Sequence, residues 1–202
     1  MPWRKNFDVD KALGKAMEVF WSQGYAATSI SDLTEAMGIN KGSLYNAYEG
    51  KEKLFIEVLS KYDVENHRQT LASLDAMEDP IEAVSVLFDA LIEQSIKDGE
   101  RKGCLLVNTA LELPFHSEVV ERIVTASLGE IDAFFRRCVA RAQNRGQVST
   151  DLDPDETAKG LLTLVMGLRV LARGAVPAES LRAIKRQAMR LIGVNEPDQK
   201  PA

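Results

Sequence analysis

Apolar residues recur at three- and four-residue intervals almost from end to end of this chain, and no segment alternates with the period of two that a half-buried strand requires. That pattern confines the chain to an all-α fold. Leu13, Ala16, Met17, Phe20 and Trp21 share one face of a helix expected from about Val9 to Gln23, and Gly24 stops it. Ser29 and Asp32 have the spacing of a capping box, so a second helix starts there, carries Ile30, Leu33 and Met37 inward and ends at Gly38. A third short helix follows from about Lys41 to Ala47.

The same reading places a long helix over Lys51 to Ser73, with Leu54, Val58, Leu59 and Tyr62 as its inner stripe. Pro80 suits the first turn of the next helix, which extends to Lys97. After a charged, glycine-containing loop come a short helix over Cys104 to Leu113, a break at Pro114, and a long helix over Ser117 to Arg145. Two more helices span Asp155 to Arg173 and Ala178 to Ile192, giving about nine in all. We therefore expect a three-helix domain over residues 1–50, a larger helical domain over 51–194, and a flexible tail over 195–202.

A chain of 202 residues is long enough to bury a real core without a disulfide scaffold. Its two cysteines, Cys104 and Cys138, lie within apolar helical patterns, which fits a reducing compartment. The N-terminus lacks the apolar stretch of a secretory signal, and the longest apolar run is interrupted by Arg169. The expectation is a soluble, cytoplasmic protein with no membrane partner. A net charge of −5 argues against a broadly basic nucleic-acid binder, so any DNA contact must be local.

Such a local site exists in "GINKGSLYNAYEGKEKLF". Two short helices joined by a glycine-containing turn make a helix-turn-helix, whose second helix lies in the major groove. Lys41 to Tyr48 holds no Asp or Glu, as a phosphate-facing helix requires. Gly42 allows close backbone approach, Ser43 and Asn46 can bond base edges or phosphates, and Tyr45 and Tyr48 offer hydroxyls, while Leu44 faces inward. Lys51 and Lys53 start the following helix, where free amides and the dipole also attract phosphate, and Thr28 stands in a similar place one helix earlier. Residues 1–50 carry five basic against six acidic side chains, so the positive surface is a stripe. Taken alone, the pattern also describes a solvated helical hairpin.

The wider stretch "AMEVFWSQGYAATSISDLTEAMGINKGSLYNAYEGKEKLF" resembles the DNA-binding domain of TetR-type transcriptional repressors over about forty residues. Phe20, Gly24, Thr28, Ile30, Ala36, Gly38, Gly42, Leu44, Tyr45, Lys51 and Leu54 carry the resemblance. It implies that Thr28, Lys41, Gly42, Ser43, Tyr45, Asn46, Tyr48 and Lys51 lie at operator DNA. It also implies a C-terminal helical domain for ligand binding and dimerisation. Tyr48 stands where the family more often has Phe, and Asn46 and Ala47 occupy variable positions, so base preference is not legible.

Gly160, Gly167 and Gly174 recur every seven residues amid Leu161, Leu164, Val165, Leu168 and Leu171, and Leu181, Ile184, Ala188 and Leu191 form a second stripe. Two such helices at a chain end can pair with their copies into a four-helix bundle, so a homodimer is expected through Gly160, Leu164, Gly167, Leu171, Leu181, Ile184, Ala188 and Leu191. An ordinary intramolecular core is the plainer alternative. Phe88, Leu91, Cys104, Asn108, Glu112, Phe115, Phe134 and Met166 are the candidates for a pocket holding a small-molecule inducer of unread identity.

Cys104 follows "ERKG" at a helix start, where Arg101, Lys102 and the helix dipole favour the thiolate. "KGCLLVNTALEL" also resembles a branch of the family with Gly-Cys here, some members of which sense oxidants or electrophiles. A buried, inert thiol is the bland alternative. His67 and His116 lie in different segments, Pro114 separates His116 from Glu112, and no phosphate loop or nucleophile elbow occurs. No enzyme chemistry, metal or cofactor is expected. The reading is a dimeric operator-binding repressor released by an inducer or by thiol modification. A TetR-like activator, or a ligand- or partner-binding helical module without DNA binding, remains the alternative.

Overall fold

The computed structural model describes residues 8–174 and 176–194, so the expected tail over 195–202 lies outside the described residues. All regular elements among them are helical: α1 Val9–Gln23, α2 Ile30–Met37, α3 Lys41–Tyr48, α4 Lys51–Asp63, α5 Gln69–Asp75, α6 Pro80–Lys97, α7 Leu105–Leu111, α8 Glu118–Asn144, α9 Pro154–Ala172 and α10 Ala178–Leu191. The expected long helix after Lys51 is present but interrupted, because a π turn over Val64–Arg68 joins α4 to α5. Within that turn the Asn66 side-chain amide donates to the Tyr62 carbonyl at 3.1 Å, occupying an acceptor in the displaced ladder. A 3₁₀ turn over Leu113–Phe115 follows α7, where Pro114 cannot continue an α-helix.

Local sequence fixes the boundaries. Ser29 Oγ accepts from the Asp32 amide at 3.1 Å while the Asp32 carboxylate accepts from the Ser29 amide at 2.8 Å, completing the capping box at α2. Gly38 ends α2 at φ 68°, in the left-handed region that a side chain disfavours. Pro80 opens α6 behind Asp79, whose carboxylate accepts from the Ile81 and Glu82 amides. Hydrogen bonding to those amides holds the Asp79 carboxyl below its ordinary pKa despite burial acting the other way.

Two compact units result. Among the described residues the first comprises 8–67 and 104–125, and the second 68–103, 126–174 and 176–194. The first unit takes in more than the expected residues 1–50, because Leu54, Phe55, Val58, Leu59 and Tyr62 are buried and α4 packs on α1 and on α7. The Phe20 ring meets Phe55 edge-on at 5.0 Å and Trp21 meets Tyr62 at the same separation, so aromatic pairs hold α1 to α4.

In the second unit Val84, Phe88, Phe134, Phe135, Leu161, Leu168, Leu181 and Met189 belong to one core drawn from α6, α8, α9 and α10. Arg141 of α8 donates to the Asp75, Met77 and Glu78 carbonyls at 3.1, 2.6 and 3.1 Å, satisfying the turn between α5 and α6. Gly103 lies at φ 70°, and a Cβ there would stand 2.7 Å from the Arg173 side chain, so that loop end requires glycine.

Candidate nucleic-acid interface

Helix α3 is short, and two residues anchor it. Leu44 is fully buried and Tyr48 nearly so, one helical turn apart, while Asn40 caps the N-terminus by accepting the Ser43 amide at 2.8 Å. The opposite face is left to solvent. Lys41, Gly42, Tyr45 and Asn46 are exposed, Ser43 is half-buried, and no carboxylate lies between Lys41 and Tyr48. The Lys41 ammonium sits 5.9 Å from the Tyr45 ring centre, at the outer reach of a cation–π contact. This is a hydrogen-bonding, acid-free helix face on a rigid support, which can enter a major groove.

Three other residues expected at DNA are less exposed than this face. Tyr48 is 2% exposed, and burial, then the Glu57 charge, raises its phenol pKa, so it serves the core. Thr28 is likewise buried and its hydroxyl donates to the Gly24 carbonyl at 2.7 Å, closing the loop before α2. Lys51 is half-buried with its ammonium 4.4 Å from the Tyr25 ring centre. Burial lowers its pKa and Asp32 opposes that shift. Lys53, exposed, pairs with Glu49.

A second cluster lies in the first unit and escaped the sequence reading. His67, in the π turn, places Nε2 3.7 Å from Cys104 Sγ, and its Nδ1 is 3.5 Å from Asp63 Oδ1. Asp63 and Cys104 are buried, and the Tyr62 ring meets the imidazole edge-on at 5.5 Å. Burial pulls the imidazole pKa down, but the Asp63 carboxylate and the Cys104 sulfur outweigh it, and His67 is held at about 9. Cys138, in the second unit, has its thiol pushed up to about 12, chiefly by burial. The readable signal was the four-residue spacing of Asp63 and His67, which puts both on one helical face.

The candidates for a ligand pocket divide between the units. Phe88 and Phe134 are fully buried in the second core, Leu91 packs against it, and Met166 is half-buried. Cys104, Asn108, Glu112 and Phe115 belong to the first unit. Phe115 is 84% exposed, carried outward by the 3₁₀ turn after α7, so it lines no interior of that unit. Of the residues expected at a dimer interface, Leu181 and Ala188 are buried in the chain's own core and Ile184 packs against it, because α10 directs that stripe toward α6 and α9. Gly160 admits the Leu191 side chain of the same chain, where a Cβ would stand 2.7 Å away. Leu164 and Gly167 are half-buried, whereas Leu171 and Leu191 are exposed.

Residues 12–58 match the family model of bacterial regulatory proteins of the tetR family, and residues 80–187 match that of the tetracyclin repressor-like C-terminal domain. Among curated proteins, the chain is 30% identical to the HTH-type transcriptional repressor ComR of Escherichia coli K12, over 93% of this chain and 90% of ComR. It is 32% identical to the HTH-type transcriptional repressor DhaR of Mycobacterium sp. strain GP1, over 76% of each. Among solved structures, a cysteine mutant of the TetR family regulator CifR in complex with 26-bp operator DNA superposes with a TM-score of 0.81 at 36% identity, covering 93% of this chain and 98% of that one. The reduced form of Escherichia coli NemR shares the fold at TM-score 0.81 and 17% identity. With an acid-free helix face on a capped helix-turn-helix and both domain models matched, the chain belongs to the TetR family of DNA-binding transcriptional regulators.

Proposed function

We propose that this regulator is a cytoplasmic homodimeric repressor that holds a near-palindromic operator through Lys41, Gly42, Ser43, Tyr45 and Asn46 and leaves it when an inducer binds or Cys104 is modified. The observation that carries the reading is the exposed face of α3, free of carboxylates and anchored by Leu44 and Tyr48. The operator complex of CifR supports it by likeness. Two such heads reading successive major grooves require centres about 34–36 Å apart, which a dimer supplies. An inducer relieves repression only to the extent that it binds the non-operator state more tightly. No catalysis is assigned.

Selection of genomic fragments by the purified protein at moderate salt tests the reading. A short near-palindromic motif supports it, and retention no better than that of a Tyr45→Ala control sinks it.

Dimerisation is assigned to the outward side of α9 and α10. Leu171 and Leu191 are 43% and 39% exposed, large apolar residues at the edge of the second unit. Leu171→Arg puts a charge on that face, where desolvating it costs several kcal/mol per ion. The expected result by sedimentation is a monomer at concentrations where the native chain is a dimer. The helical spectrum should be unchanged, because the residue supports no intramolecular core.

A further inference from the structure

Nucleophilic activation of a thiol needs a base within reach and a third group that orients the base. Cys104, His67 and Asp63 stand in that order, with separations of 3.7 and 3.5 Å, inside one compact unit. The order has a chemical consequence. With Nδ1 turned to the Asp63 carboxylate, Nε2 faces the sulfur, and passage of the thiol proton to Nε2 leaves a thiolate beside an imidazolium that the carboxylate balances. The elevated His67 pKa agrees with this geometry. Cys138 has no such neighbour and serves as an internal reference.

We propose that the Asp63–His67 pair arms Cys104 as an addition site for small, uncharged α,β-unsaturated carbonyl compounds, with His67 returning the proton that completes the adduct. The inference deepens the thiol-modification part of the function proposed above. The Cys104 thiolate attacks the β-carbon and forms the C–S bond, while the alkene π pair moves to the α-carbon as an enolate. The imidazolium then donates its Nε2 proton to that carbon. His67 ends neutral, the product is a thioether, and nothing else is consumed.

Addition fits the site better than oxidation. A sulfenic acid is normally resolved by an accessible second thiol, and the chain's other cysteine, Cys138, is 1% exposed within a packed core. Cys104 is only 2% exposed, which selects small neutral reagents that enter during local opening. Once formed, the adduct overfills a packed position at the start of α7. Helix α7 packs on α4, and α4 packs on α1 of the DNA-binding head, so the strain is delivered to the helices that hold α3.

The test uses the full chain and acrylamide as probe, with adducts at Cys104 and Cys138 quantified by peptide mass spectrometry between pH 5 and 9. In the native protein Cys104 should react at least about tenfold faster than Cys138 at pH 7. Its rate should be nearly level down to about pH 6, as a pre-ionised thiol behaves. His67→Gln should slow Cys104 about tenfold or more and restore a rate that climbs toward an ordinary thiol pKa of about 8.5, with Asp63→Asn between the two. A native rate that simply climbs with pH, or a His67→Gln protein that reacts like the native one, overturns the proposal. The native pH profile decides the matter even where a variant fails to fold. Operator affinity is read separately on the alkylated protein. Rapid addition without release leaves the relay standing and removes only its regulatory consequence.

Discussion

Replacing Tyr45 and Lys41 together by alanine is expected to weaken specific operator binding by roughly thirtyfold or more while leaving the fold intact. Tyr45 is 44% exposed and Lys41 is exposed, so neither substitution opens a cavity. A contact to a base edge is worth about 1–3 kcal/mol, and a dimer loses it twice, so the loss in affinity is roughly thirtyfold at least and up to about four powers of ten. Loss of a phosphate contact at Lys41 also flattens the dependence of binding on salt, by about one unit of slope for each contact removed. Tyr48→Phe is the matched control. That side chain is 2% exposed, and its substitution should leave operator affinity within about threefold. Titration of a labelled operator at several salt concentrations measures both effects. Equal losses at Tyr45 and Tyr48 would show that α3 meets DNA through a different face.

Those two tyrosines show how far the sequence could be read. Helical period and caps place α1 to α3 within a residue or two, because Asp8, Ser29, Asn40 and the turn glycines act on neighbouring amides only. Which of two tyrosines three residues apart faces the core depends on how α3 packs on α2 and α4, and that no local pattern records. The same limit applies to Thr28, whose hydroxyl is taken by the Gly24 carbonyl.

In α10 the stripe of Leu181, Ile184 and Ala188 was legible as apolar, but period alone cannot say whether an apolar face meets its own chain or a copy. Arg169, read only as an interruption of an apolar run, is 5% exposed and donates to the Gln94 and Ser95 side chains some 75 residues earlier. The approach of His67 to Cys104 is not legible in the sequence, since the π turn that carries His67 there has no propensity signature.

Phe20→Ala is expected to unfold the DNA-binding unit first. The ring is fully buried, lies 5.0 Å from Phe55 in an edge-on pair and 6.0 Å from Tyr25, and joins α1 to α4. Truncating a buried phenylalanine costs about 3–5 kcal/mol, of which an aromatic pair contributes about 0.5–1.5 kcal/mol. A domain is stable by about 5–15 kcal/mol, so the loss is a large share of what holds the first unit. The cost should not be uniform across the chain, because the core of Phe88, Phe134 and Phe135 belongs to the second unit. Urea titration should therefore show the transition of the first unit moved to lower denaturant. Operator binding should be lost under conditions where the dimer, assigned to α9 and α10, still sediments as one. Phe88→Ala, equally buried in the second core, should reverse the order, weakening the dimer's own unit first. A single transition shifted equally by both substitutions would mean that the two units unfold together, and the head could then not be loosened separately from the rest.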